Sequence, residues 1–325
     1  MTPSTPAMTT TMRTFATRKH GNESVVHDPL TGLTHHAGLT LDSGRVRLPG
    51  TDVASWTEIH PAAVQTDVPI SVCWSPLVRC NLTCPYCLDD KSILELGRAE
   101  RYRIANLLAE STVLGVDISG GEPLLLRDLP ELVDVLVAGG CAVSVTTNGT
   151  HLARRAEALA TRVDAVRVSL DGPDAEHHDR WRGAGSFDHA IAGIRAAITQ
   201  GIPTQIQAVL LRSTALAGIR AMVDLAATLG VSGVTFLQML PIGEGTALAG
   251  TEQLTDDEAL ALLAELSTTA AVPVRLRTRE AAGGFTVIRA DGQIWRNQPS
   301  AHAISSLRAL STASDLALTT RDGSA

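Results

Sequence analysis

Between Val68 and Gly245 short apolar runs alternate with longer stretches whose apolar residues recur at helical spacing. That alternation belongs to βα units building a parallel sheet. It predicts strands near 69–74, 114–118, 142–147, 163–169, 204–210 and 233–239, with helices between them. One helix begins at Asp128, with Glu131 three residues on in a capping-box pattern, and stops at Gly139-Gly140. Another begins at Ser186, carries Phe187, Ala190, Ile191, Ile194 and Ile198 on one stripe, and stops at Gly201. A third carries Leu216, Ile219, Met222, Val223 and Ala226 and stops at Gly230. Six such units make an incomplete barrel, closed only in part.

The flanks read differently. Residues 1–22 are rich in Thr, Ser and Pro without periodicity and are expected to be a disordered tail. Residues 23–67 form a small β-rich prefix: a turn at Asp28-Pro29-Leu30-Thr31-Gly32, then a hairpin of Leu39–Leu41 with Arg45–Leu48. The prefix is expected to cover one end of the main domain or to offer an edge strand to a peptide. Its histidines, His27, His35 and His36, are expected in a solvated loop. The main domain is placed at 68–245 and a C-terminal extension at 246–325. In the extension Thr255 and Glu258 form a capping box. Pro273–Arg277 follows as an extended run, then a hairpin of Phe285–Arg289 with Gln293–Arg296 turning at Asp291-Gly292, a short helix and a polar tail.

Composition narrows the function classes. The net charge is −7, and lysine occurs only at Lys19 and Lys91. A chain with no basic patch is not expected to bind nucleic acid. No apolar run approaches the ~18 residues of a membrane span, and no secretory signal is expected. The 5 cysteines, three of them in one loop, do not read as a disulfide framework, and a thiolate cluster belongs in a reducing cytoplasm.

Those three cysteines, Cys80, Cys84 and Cys87, stand at spacing C-x3-C-x2-C just after the first strand. Thiolates so close in a loop can wrap one soft-metal centre. A structural zinc site in an interaction module would need a fourth ligand. An iron–sulfur cubane takes four cysteines, so three leave one iron open for chemistry.

The triplet with an aromatic before its last cysteine, followed after a strand by Gly120-Gly121-Glu122-Pro123, resembles the radical S-adenosylmethionine (radical SAM) enzymes. The later Ser169-Leu170-Asp171-Gly172, His178, Asp179, Arg182-Gly183 and Ser186-Phe187-Asp188 resemble the branch that carries SPASM or Twitch extensions, many of which modify peptides. The resemblance implies an α/β fold, a partial (β/α)6 TIM-like barrel with a degenerate SPASM/Twitch-like hairpin and helix at its C-terminal side. It implies one [4Fe–4S] cluster on Cys80, Cys84 and Cys87, and S-adenosylmethionine beside it. By the same resemblance Gly120, Gly121 and Glu122 hold the methionine amine. Ser169 holds the ribose or carboxylate, Arg182 the carboxylate, and the Tyr86 backbone the adenine. Asn148 reads as a turn residue or a ligand. An external donor such as flavodoxin or ferredoxin supplies the electron. The substrate is a ribosomally made peptide or a small metabolite.

Strand alternation adds a cavity to this picture. Asp117, Arg167, Gln205, Gln207 and Gln238 fall on strand faces opposite the apolar positions, so they are candidate walls of a polar lumen. Cys73 falls on the same side and is a candidate hydrogen donor, whereas Cys141 falls at the far end. Arg296, Asn297 and Gln298 stand where the SPASM/Twitch pattern places a cysteine, so no auxiliary cluster is expected from these residues.

Overall fold

A computed structural model describes residues 11–60, 64, 67–267, 270–280, 285–298 and 301–317. Two sheets organise it. The smaller is antiparallel: β1 (Met12–His20), β2 (Glu23–His27), β3 (Thr34–His36), β4 (Gly44–Pro49) and β5 (Thr57–Glu58), in the order β4-β1-β2-β3-β5. Helix α1 (Gly50–Ser55) lies between β4 and β5.

The larger sheet has ten strands in the order β12-β11-β10-β9-β8-β7-β6-β13-β14-β15. The six expected parallel strands form its centre: β6 (Ser71–Trp74), β7 (Gly115–Ile118), β8 (Ala142–Thr147), β9 (Ala165–Ser169), β10 (Thr204–Leu210) and β11 (Val234–Gln238). Helices α2 (Arg98–Glu110), α3 (Leu129–Ala138), α4 (Leu152–Leu159), α5 (Ala175–Arg182), α6 (Ser186–Thr199) and α7 (Arg212–Leu229) connect them, and α8 (Asp256–Ser267) follows β11.

Alternation along the strands divides the molecule. Trp74, Ile118, Val143, Val145, Val166, Val168, Ile206 and Phe236 are buried in one apolar core shared with the helices. Each such side chain contributes roughly 1.5–3 kcal/mol by leaving water. The intervening residues, Cys73, Asp117, Ser144, Arg167 and Gln205, lie on the other face.

The parallel array does not stop after β11, contrary to the sequence reading. β12 (Val274–Arg277) pairs parallel to β11, and β13 (Thr286–Ile288) pairs parallel to β6 at the opposite edge. The expected hairpin forms from β13 and β14 (Gln293–Arg296), with β15 (Arg308–Ala309) beyond it. Eight parallel strands thus curl around the polar face. The edges approach, with the Arg277 guanidinium 5.9 Å from the centre of the Phe285 ring, but no ladder joins β12 to β13 among the described residues.

Other local expectations changed. Of the tail expected to be disordered, residues 12–20 are β1; residues 1–10 lie outside the described residues, as does the polar tail from 318. β4 pairs with β1 rather than with Leu39–Leu41. His27 and His35 are not solvated but buried in β2 and β3. The Thr255–Glu258 capping box forms, with both reciprocal bonds at 2.8 and 3.2 Å. Asp128 caps nothing, because its carboxylate takes Arg101 at 3.0 Å instead.

The small sheet packs Ala16 and Val25 against Ile70, Leu114 and Ala142, covering the N-terminal ends of the large sheet's strands. Gly115 is required there, since a Cβ would lie 2.1 Å from the His27 ring. Arg45 adds a two-pronged ion pair to Asp164 at 2.5 and 2.7 Å. This leaves the opposite, C-terminal rim of the strands open.

Candidate active site

The C-terminal rim encloses a cavity of about 300 Å³. Cys80, Cys84 and Cys87 line it from the loop after β6, Gly120 and Gly121 from the loop after β7, Thr147 and Asn148 from the end of β8, and Ser169 from the end of β9. Ligand sites of parallel βα folds form at this edge because each loop there starts from a fixed strand end.

Glycine is needed at the β7 loop for close approach of two backbones. A Cβ on Gly121 would meet the Arg79 carbonyl at 2.1 Å, and Gly120 holds φ 101° with the Leu77 carbonyl 2.6 Å from its Cβ position. The N–H groups of Gly121 and Glu122 donate to the Leu77 and Arg79 carbonyls, both at 2.9 Å. The glycine turn is therefore clamped against the leg of the cysteine loop. The Glu122 carboxylate turns away from the cavity, unlike the sequence expectation for it. It is fully buried and accepts bonds from Thr147 Oγ1 (2.7 Å), Asn148 N–H (2.8 Å) and Leu124 N–H (2.9 Å). Burial raises its pKa, against the pull of those donors.

The cysteines suit a wide soft centre. Cys80 Sγ accepts from the Leu82 N–H at 3.4 Å and from Asn148 Nδ2 at 3.7 Å, donors aimed at sulfur charge. Burial raises the Cys80 and Cys87 thiols, so a bound cation must hold them ionised. Among the described residues no group of three His, Cys, Asp or Glu side chains is placed to hold a single metal ion. Asn148, read from sequence as turn or ligand, is thus a direct neighbour of Cys80 and also bonds Asn81 at 2.9 Å.

Arg182 reaches the cavity from the end of α5. Its guanidinium grips Asp171 at 2.5 and 3.3 Å, and Asp171 also accepts from the Tyr86 hydroxyl and from the Val209 N–H at 2.8 Å. Burial works against the Asp171 charge, but Arg182 and these donors hold its pKa below the usual carboxylate range. Tyr86 packs on Trp181 with ring centres 6.2 Å apart. His178 Nδ1 accepts the Asp171 N–H at 3.1 Å, and burial pulls its pKa down to about 4.

The expected wall residues divide. Asp117 and Gln207 line the cavity, and so does Cys73, whose Sγ lies 2.9 Å from Ser119 Oγ. Burial, helped by Asp117, pushes the Cys73 thiol up to about 12. Arg167 does not reach the cavity. It pairs with Asp117 at 3.1 Å and donates to the Pro29 and Leu30 carbonyls at 2.6 and 2.9 Å, plugging the floor with the small sheet. Gln205 lies under the floor, bonded to Thr235. Gln238 faces a neighbouring depression, between the Leu254 carbonyl (2.8 Å) and the Arg279 N–H (2.5 Å). The sequence reading also missed a whole wall: Arg277, Phe285, Val287, Arg289, Trp295 and Ile304. Their strand periodicity was visible, but not that β12 and β13 flank the array.

Residues 74–226 match the family model of the radical SAM superfamily. Residues 74–226 are a radical SAM domain. The chain is 31% identical over 188 residues to mycofactocin maturase MftC of Mycobacterium tuberculosis, covering 55% of this chain and 47% of that protein. It is 40% identical over 155 residues to a probable GTP 3',8-cyclase of Methanocella arvoryzae, covering 45% and 49%. The chain therefore spans about half the length of these curated relatives. Among solved structures, Streptococcus suis SuiB bound to S-adenosylmethionine superposes with TM-score 0.61 at 16% identity over 88% of this chain and 81% of SuiB. SuiB bound to its precursor peptide SuiA superposes with TM-score 0.60 at 18% identity, covering 72% and 60%. At such identities the likeness is one of fold. The radical SAM cofactors, a [4Fe–4S] cluster and S-adenosylmethionine, fit the donor set on this rim: three thiols in one loop, sulfur-directed N–H groups, and a glycine turn alongside.

Proposed function

We propose that this chain is a cytoplasmic radical SAM enzyme that abstracts hydrogen from a ribosomally made peptide. The observation that carries the reading is the gathering of Cys80, Cys84, Cys87, Gly120, Gly121, Ser169 and Arg182 on one cavity. When bound, the cluster and S-adenosylmethionine would supply radical hydrogen-abstraction chemistry, with the electron drawn from an external flavodoxin or ferredoxin. Cys80, Cys84 and Cys87 would hold the cluster. Backbone at Gly120 and Gly121 meets the methionine amine. Ser169 and Arg182 meet the ribose and carboxylate, Arg182 being oriented by Asp171. The Tyr86 backbone meets the adenine. Glu122 acts as a positioning residue that ties the glycine turn to β8. Asp117 and Gln207 face the substrate, and the apolar wall excludes water from the radical.

Peptide substrates are favoured because two similar proteins are a maturase and an enzyme crystallised with a precursor peptide. The likeness to a GTP cyclase supports a second reading, a small metabolite. Cys73 is the proposed hydrogen donor. Its high pKa keeps the S–H bond intact, and a substrate carbon radical would take that hydrogen, leaving a thiyl that the external donor and a proton restore.

The test is anaerobic reconstitution, reduction and mass spectrometry with candidate peptides deuterated at one position. Deuterium in 5′-deoxyadenosine supports the peptide reading; cluster-loaded protein that releases no 5′-deoxyadenosine overturns the activity itself. For Cys73, turnover in D2O should place deuterium in the product, and Cys73→Ala should remove it.

A further inference from the structure

Three arginines line the cavity: Arg182, Arg277 and Arg289. Arg182 is matched by Asp171, and Arg289 has Asp90 and Asp291, each at 3.9 Å. Arg277 makes no ion pair or hydrogen bond among the described residues; its guanidinium lies over the Phe285 ring. It ends β12, where the two edges of the curled sheet approach, and its exposure opens into the cavity.

The charged groups acting on it are few. Two carboxylates line the cavity: Asp117 is already committed to Arg167 (3.1 Å), Ser144 (2.8 Å) and Thr146 (3.0 Å), and Asp89 has Arg289 and Lys91 as its neighbouring cations. Burial among protein atoms lowers the Arg277 pKa, Arg167 adds to that, and Asp117 opposes it. The guanidinium keeps an exposed face, and no protein carboxylate is paired with it among the described residues. The surrounding wall is apolar: Leu237, Phe285, Val287, Trp295 and Ile304. Such a site fits an anion carried on an apolar body. Guanidinium presents paired N–H donors that match a carboxylate or a phosphate. In the proposed function S-adenosylmethionine takes a different arginine, Arg182 at the end of α5.

We propose that Arg277 anchors an anionic group, carboxylate or phosphate, that the substrate carries into the cavity; this rests on the reading of the cavity as the radical site.

The experiment uses the full chain, reconstituted with its cluster and saturated with S-adenosylmethionine. Equilibrium dialysis measures binding of radiolabelled hexanoate and of inorganic phosphate, with hexanol as the uncharged control. One probe should bind at one site per chain and hexanol should not; the probe that binds names the source as carboxylate or phosphate. Arg277→Gln should weaken that probe at least about tenfold, and Arg277→Lys should weaken it less. Because Arg277 has no hydrogen-bonded partner to orphan, both variants should unfold at the wild-type temperature. Equal binding by Arg277→Gln and wild type overturns the proposal. So does a wild-type chain that holds S-adenosylmethionine but neither probe. If Arg277→Gln loses S-adenosylmethionine as strongly as the probe, Arg277 serves the methionine carboxylate and the proposal is wrong. A chain that takes up no S-adenosylmethionine overturns the radical-site reading, and this proposal with it.

Discussion

The cavity has two walls built on different terms. The wall from the loops after β6 to β9 and from α5 is internally matched: Glu122 answers Thr147 and Asn148, and Asp171 answers Arg182, Tyr86 and Val209. The wall from β12 to β14 is apolar, with Arg277 unmatched and Arg289 only loosely matched. A wall whose polar groups already satisfy one another is preorganised for one fixed cofactor geometry. A wall with an unmatched cation over apolar surface is left to the molecule that varies, the substrate. The same division separates what should unfold the protein from what should only change its ligands.

The largest expected effect lies on the matched wall. Cys84→Ala should reduce iron from about four per chain to a trace and abolish S-adenosylmethionine cleavage, while circular dichroism stays native because the loop lies outside the core. Full cleavage by this variant would refute the cluster assignment, and about eight irons in the wild type would refute a single cluster.

Asp171→Ala comes next. It strands the Arg182 guanidinium in a buried site and should cost about 3–5 kcal/mol in urea unfolding. A loss below about 1 kcal/mol would mean that the matched wall is no more rigid than the other.

Acid should act through buried histidines. Burial first, then nearby arginines, holds His27 and His178 at about 4. The unfolded value is ~6.5, so the unfolded chain binds protons more tightly. The stability is therefore present above pH 6.5 and is lost as pH falls towards 4, up to about 3 kcal/mol for each histidine. Urea midpoints at pH 7 and 5 measure this, and His27→Gln should flatten the profile. A flat wild-type profile would contradict it.

A smaller effect is expected from Arg182→Ala, which should weaken S-adenosylmethionine by about 1.5–3 kcal/mol, read by calorimetry. Unchanged affinity would leave Arg182 with only its structural bond to Asp171. The smallest belongs to the unmatched wall: Arg277→Gln should change unfolding free energy by less than about 0.5 kcal/mol. A loss comparable to that of Asp171→Ala would erase the contrast between the walls.

The sequence by itself determined what is local. The C-x3-C-x2-C spacing, the glycine turn, the six central strands and the Thr255 capping box are each written within a few residues, where spacing and φ requirements act directly. Strand alternation also announced a polar lumen, because the period of two admits only one assignment of faces. Tertiary structure decided what those faces meet. Arg167 and Asp117 looked alike as wall residues, yet Arg167 is drawn to carbonyls of a loop far away in sequence. Glu122 sits in the motif but turns to β8, since a buried carboxylate must find donors. β12 and β13 were legible as extended runs, but pairing one with β11 and the other with β6 depends on free edges at opposite ends of a curled sheet. Strand pairing of that kind is non-local, so no window of sequence contains it, and the wall carrying Arg277 exists only once the sheet has curled.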